Sequence, residues 1–183
     1  MKILAVLFFV TQSLLGLAIE KSDSIPPGRL HSFSISAIQP LGEFSETHHT
    51  GVSARYVRSL AKVMKIKKTS PGGINPIYGA FAGWHKGKRV FVNGVYEFHY
   101  DDLLYAALFG GAEYRFPERG VINISLGPAM SRYRATNRFN IYSGMDGNLF
   151  ITDHFGICAG MNFLKEMKSA WIAMARLGVT YRF

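Results

Sequence analysis

The sequence predicts an all-β chain that folds as an eight-stranded, antiparallel, up-and-down transmembrane β-barrel. Three observations lead there. Segment after segment alternates apolar residues with polar or small ones. These segments run to about ten residues, against about five or six for a typical globular strand, and so match the length needed to cross a bilayer at a tilt. Arg55, Glu113, Asp146 and Arg176 fall in mid-segment on the polar face, while the opposite face is apolar throughout. A soluble barrel turns its apolar side inward, so this pattern describes a barrel turned inside out.

The first residues, "MKILAVLFFVTQSLLGLA", carry one Lys, an apolar run and then small residues at Gly16 and Ala18. That is the layout of a secretory signal with cleavage after Ala18. The run is interrupted by Thr11 and Gln12 and falls short of the roughly 20 apolar residues of a spanning helix. Ile19 rather than Cys follows it, which argues against lipid attachment. The chain therefore divides into a signal peptide (1–18), an N-terminal segment (19–29) and a barrel domain (30–183). No later stretch approaches the length of a spanning helix.

The composition fits this class. Aromatic residues make up 14% and glycines number 19, a mixture that suits tightly packed β-structure. The only cysteine, Cys158, cannot form an internal disulfide, so an exported fold must hold without one. It lies in "FGICAGMNF" with no His or Asp beside it and reads as a small buried filler. The formal net charge of +9 directs the chain toward anionic lipid head groups or a polyanionic surface layer. The basic residues are scattered apart from "AKVMKIKK", which, with export, argues against nucleic acid.

The strands follow in order, each read by its period of two. "LHSFSISAIQP" sets Phe33, Ile35 and Ala37 against Ser32, Ser34 and Ser36. "TGVSARYVRS" sets Val52, Ala54 and Tyr56 against Gly51, Ser53 and Arg55. "PIYGAFAGWH" is apolar on both sides, and its facing stays open. "LLYAALFGGAEYRF" gathers Leu104, Ala106, Leu108, Ala112, Tyr114 and Phe116 opposite Tyr105, Gly111, Glu113 and Arg115. "GVINISLGPAMSRY" gathers Ile122, Ile124, Leu126, Pro128 and Met130. "RFNIYSGMDGNLFI" gathers Phe139, Ile141, Met145, Leu149 and Ile151 opposite Asn140, Tyr142, Asp146 and Asn148. "FGICAGMNF" sets Phe155, Ile157, Ala159, Met161 and Phe163 against Gly156, Gly160 and Asn162. The last segment, "AWIAMARLGVTYRF", puts Trp171, Ala173, Ala175, Leu177, Val179, Tyr181 and Phe183 on one face, toward lipid.

Counting "VFVNGVYEFHY" as a strand of the barrel gives nine, which the even-numbered single-chain barrels forbid. Read as a long, partly extended external loop, it leaves eight. "PERG" and "TDH" are short turns, and "LGEFSETHHT" is a longer external loop. Residues 62–76 then form an unusually long connection on the short-turn side. An eight-stranded barrel is just wide enough inside for side chains to fill. Arg55, Glu113, Arg115, Asp146 and Arg176 would form an interior polar cluster in which each carboxylate pairs with a base, because an unpaired buried charge costs several kcal/mol.

Candidates for chemistry are few. His99, Asp101, Asp102 and Ser131 lie on external segments, as the parts of an acyl-transfer site would, but no spacing motif ties them together. His48 and His49 alone make no metal site. "GWHKGK" lacks the spacing of a phosphate-binding loop. Asn123-Ile124-Ser125 is a glycosylation sequon in mid-strand. No catalytic, cofactor-binding or metal-binding residue is predicted, and no cofactor.

With its export signal, its alternating strands and the closing "VTYRF", the chain resembles the small eight-stranded outer-membrane β-barrel family, which includes the OmpA transmembrane domain, OmpX and the opacity-type surface proteins. The resemblance covers the whole mature chain. It implies residence in a bacterial outer membrane as a monomer, with outer-membrane lipids as partners. It also implies that Val179, Tyr181 and Phe183 act as a sorting signal read by the barrel-assembly machinery. The role it implies is structural or surface-interacting, with external loops facing a ligand or partner. A lipid-modifying barrel enzyme and a soluble exported ligand-binding barrel remain as alternatives.

Overall fold

The computed structural model describes residues 31–60, 73–92, 96–116, 119–166 and 171–183. The signal peptide and the segment 19–29 lie outside them. Eight strands close a barrel: β1 (His31–Leu41), β2 (Gly51–Ser59), β3 (Ile74–His85), β6 (Leu103–Arg115), β7 (Gly120–Tyr133), β8 (Thr136–Phe150), β9 (Phe155–Glu166) and β10 (Trp171–Arg182). Every neighbouring pair is antiparallel, and β10 closes onto β1 with Leu177 opposite Ala37. Two short strands, β4 (Arg89–Val92) and β5 (Tyr96–His99), pair only with each other. The segment assigned from parity to a loop is thus a hairpin standing outside the barrel. One short helix, α1 (Phe44–Thr47), sits in the β1–β2 connection.

Alternation places the side chains. On β1, Ser34, Ser36 and Ile38 are buried inside while Phe33 and Ile35 face out. On β7, Val121, Asn123 and Ser125 are inside while Ile122, Ile124 and Leu126 are out. The strand left open, β3, turns Asn75, Ile77, Phe81 and His85 inward and Tyr78 and Trp84 outward. Its two-sided apolarity has a physical cause: it supplies both the outer belt and the stuffing of the interior, so no contrast in hydropathy marks its faces.

Two expectations need correction. Residues 62–76 are not one connection, because β3 begins at Ile74 and Pro76 pairs within it opposite Ala112 on β6. Residues 61–72 lie outside the described residues. The interior is also not polar throughout. Ile38, Phe81, Leu103, Tyr105, Phe109, Tyr142, Leu164 and Met174 form one buried cluster inside the barrel. So narrow a barrel must be filled by side chains, and large apolar ones fill volume without leaving polar atoms to satisfy.

The β7–β8 turn is tight, joining Tyr133 to Thr136 across two residues. Arg134 and Ala135 are its two central residues, with φ of 50° and 58°. Paired positive φ angles match the right-handed twist of the flanking strands, and glycine takes them without steric cost. Ala135→Gly is therefore expected to raise stability by about 0.5–1 kcal/mol, since a Cβ in the left-handed region costs about 1–2 kcal/mol and glycine's entropy offsets part of the gain. Equilibrium unfolding in micelles checks this, and a drop in the midpoint would contradict it.

Candidate functional site

The barrel has two unlike ends. At one, Phe116, Arg119 and the 151–154 turn lie with the His31–Phe183 junction, where each backbone N–H bonds the other's carbonyl at 3.2 and 3.0 Å. At the other stand α1, the β4–β5 hairpin and the β7–β8 turn, which together make a cap over the barrel mouth. Phe44 of α1 packs onto the interior cluster and meets the His85 ring edge-on at 5.2 Å.

The cap is stitched by polar contacts. The Thr47 hydroxyl lies 2.8 Å from His48 Nδ1, and His48 Nε2 lies 3.2 Å from the Asp101 carbonyl, so the ring bridges the helix turn to the far side of the hairpin. Lys88 Nζ donates to the Ser45 carbonyl at 2.6 Å. Asp102 accepts from the Gly87 amide at 3.0 Å and from Trp84 Nε1 at 3.2 Å. Asp101 pairs with Arg134 at 2.9 Å, which ties the hairpin to the β7–β8 turn. Gly87 is obligatory here, because any Cβ would run into the Tyr100 carbonyl. "GWHKGK" thus serves as the strap between β3 and the hairpin.

His48 gives this cap a pH dependence. Burial pushes its imidazole below the ordinary value, against the smaller opposing pulls of the Asp101 carbonyl and the Asp102 charge. A lowered folded-state value means that the folded cap favours the neutral ring. Its stabilising contribution is complete above the unfolded value near 6.5 and is lost as pH falls through the folded value. Protease nicking of residues 42–50 in vesicles is expected to rise on acidification from pH 7.5 to 5, with His48→Gln flattening the profile. Equal profiles for both proteins would refute this.

Beneath the cap the interior is layered. His85 stacks on Tyr105, and Phe81 packs against both Tyr105 and Tyr142 at 5.6 and 5.2 Å. The Tyr105 hydroxyl donates to Met174 Sδ at 3.2 Å and that of Tyr142 to Asn162 Oδ1 at 2.9 Å. Below this aromatic layer lies an ionic one. Arg55 and Arg176 both contact Asp146, the latter at 2.6 Å. Their guanidinium groups also face the aromatic layer, Arg55 over Phe109 at 4.6 Å and Arg176 over Phe81 at 5.9 Å. Arg55 Nη2 donates to Ser125 Oγ at 3.2 Å.

Of the residues singled out from sequence, Arg55, Asp146 and Arg176 come together from β2, β8 and β10. Glu113 and Arg115 instead pair with each other, two residues apart on β6. Trp171 and Leu177 face outward at 56% and 59% exposure. Val179, Tyr181 and Phe183 are exposed on the same face, with Tyr181 stacked between His154 and Phe183. Ser131 is enclosed and takes a hydrogen bond from Asn140 Nδ2 at 2.8 Å, His99 is exposed on the hairpin, and Asp101 and Asp102 hold the cap. Ser131 thus lies inside the barrel, while His99, Asp101 and Asp102 belong to the cap. Asn123 is buried inside the barrel, and Cys158 is buried with its thiol 3.4 Å from Ser36 Oγ. No group of three or more metal-ligating side chains occurs among the described residues. Sequence reading missed the aromatic layer and the His48–Asp101 tie. The former was signalled only by the two-sided β3, and the latter spans 53 residues that no local pattern connects.

No family model matches the sequence, and no curated protein matches it. Solved structures do. The Yersinia pestis outer-membrane protein Ail in a phospholipid bilayer nanodisc is 16% identical with a TM-score of 0.52, over 85% of this chain and 99% of that one. The fold is that of the small eight-stranded outer-membrane barrels. The N-terminal β-barrel domain of Pseudomonas aeruginosa OprF is 14% identical with a TM-score of 0.47, over 85% of this chain and 99% of that one. Neisserial surface protein A is 12% identical with a TM-score of 0.48, over 85% and 96%.

Proposed function

We propose that this chain is an exported, monomeric bacterial outer-membrane barrel with a closed interior, whose capped end faces outward as a rigid interaction surface. One observation carries the reading. All eight strands turn an apolar side outward around an interior stacked with buried aromatic and ionic layers. Soluble monomers rarely expose a contiguous apolar patch larger than about 300–600 Å², so a belt around the whole barrel needs lipid. Tyr56, Tyr78, Tyr114, Phe155 and Tyr181 gather toward the Phe183 end of that belt, and Trp84 and Trp171 toward the cap end. Aromatic girdles of this kind mark the two membrane interfaces. Val179, Tyr181 and Phe183 then serve as the assembly signal. The cap's cross-links make its outer surface a preformed shape, which favours a binding role over a channel. Acyl chemistry forms no part of the proposal, since Ser131 bonds Asn140 inside the barrel and both aspartates hold the cap.

The experiment is fractionation followed by unheated gel migration in detergent and by conductance in planar bilayers. Outer-membrane recovery, faster migration before heating and no steady conductance are expected. Native protein in the soluble periplasmic fraction would overturn the location, and a steady open conductance would overturn the closed interior.

A further inference from the structure

We infer that the barrel interior holds one small monovalent anion, of the chloride class, against the guanidinium groups of Arg176 and Arg55. The argument begins with charge. Arg55 and Arg176 are 2% and 4% exposed, and the single carboxylate they share, Asp146, is 1% exposed. Two cations and one anion leave one positive charge out of water. Glu113 does not cancel it, because its carboxylate is engaged by Arg115. A buried charge without a partner costs several kcal/mol, and a counter-ion removes that cost.

The donors point the same way. Arg176 Nε and Nη1, Arg55 Nε and Asn162 Nδ2 are all buried without a hydrogen-bond partner, and Asn162 is fully enclosed. The register brings them together. Gly160 on β9 stands between Asp146 on β8 and Arg176 on β10, and Asn162 is the next inward residue along β9. With no side chain at Gly160, the guanidinium reaches across it, and an added Cβ would crowd Asp146 Oδ1 at 2.7 Å. The unpartnered N–H donors thus outnumber the unpartnered acceptors beside them, Asn123 Oδ1 in register with Asp146 and Ser53 Oγ next inward to Arg55 on β2, and the cluster lies on the positive side of neutrality. An anion supplies both what the charge count lacks and the acceptor the donors lack. The aromatic layer separates this site from the capped end. The inference stands whether or not the cap binds a partner.

The test is equilibrium unfolding in urea at constant ionic strength, with sodium chloride exchanged for sodium gluconate, whose anion is too large for the site. Above half-saturation, each tenfold rise in chloride is expected to lower the unfolding constant about tenfold, the signature of one ion bound only to the folded state. Arg176→Gln makes the cluster neutral, and the difference between the salts is expected to vanish. Asp146→Asn leaves two positive charges, and half-saturation is expected at lower chloride. Coincident chloride and gluconate curves for the unaltered protein would overturn the inference, as would a salt difference that persists unchanged in Arg176→Gln. Should a variant fail to fold, crystals of the unaltered protein grown in bromide decide the matter. An anomalous peak within hydrogen-bonding reach of Arg176 supports the site, and its absence there refutes it.

Discussion

Leu177→Arg is expected to lower the stability of the barrel in lipid vesicles by about 2–4 kcal/mol. Leu177 lies midway along β10 and is 59% exposed, with Ala159 and Ala37 opposite it on the neighbouring strands. Nothing polar on those partners could receive a guanidinium. Trp171 and Tyr181 lie on the same face on either side of it. At about 3.4 Å per residue and a tilt near 40°, they are roughly 25 Å apart, the height of the apolar band of such barrels. Leu177 is therefore near the midplane, where Arg costs most. The inward neighbour gives the control. A side chain at Gly178 would run into the Ile35 carbonyl and crowd Ser36 Oγ, so Gly178→Ala destabilises by steric overlap whatever surrounds the barrel. The Leu177→Arg penalty depends on the bilayer and shrinks in a short-chain micelle, whereas the Gly178→Ala penalty does not. If Leu177→Arg unfolds at the unaltered midpoint in vesicles, this face does not meet lipid.

Asp146→Ala is expected to cost about 3–5 kcal/mol at low chloride, the usual penalty for removing one member of a buried ionic cluster. The loss comes mainly from what remains. Arg55 and Arg176, each in contact with Asp146, are left as two buried cations with no carboxylate between them. Their remaining contacts with Phe109 and Phe81 offset only part of this. Replacing all three residues together by apolar side chains of similar volume should cost far less, because desolvation of the ions disappears with the ions. Unfolding midpoints of the single and triple variants measure the difference. A single-variant cost under about 1 kcal/mol would mean that water reaches the guanidinium groups and that the interior is hydrated rather than packed.

How much of this was legible in the sequence varied with what each face had to do. Where one face met lipid and the other met a polar interior, as in β1, β2 and β7, period-two hydropathy assigned every side chain, since a one-residue slip would reverse the whole strand. The inward position of Arg55, Asp146 and Arg176 followed from the same parity. β3 was opaque because Ile77 and Phe81 inside are as apolar as Tyr78 and Trp84 outside. The β4–β5 hairpin was left out of the barrel by strand parity, a constraint on the whole ring rather than on the segment itself.

The sequence alone determined the eight strands, the apolar face of every one but β3 and the presence of charged residues inside, because these depend only on the order of residues along an extended chain. The tertiary structure decided which charges meet. Asp146 takes two arginines from distant strands while Glu113 takes its own neighbour, since the barrel's stagger, and the missing side chain at Gly160, set which inward groups share a level. It also decided that two loops are tied together at one end of the barrel. His48 reaches Asp101, and Asp102 reaches Gly87 and Trp84, only after the strands have brought two loops to the same end, and no local pattern encodes contacts between loops so far apart.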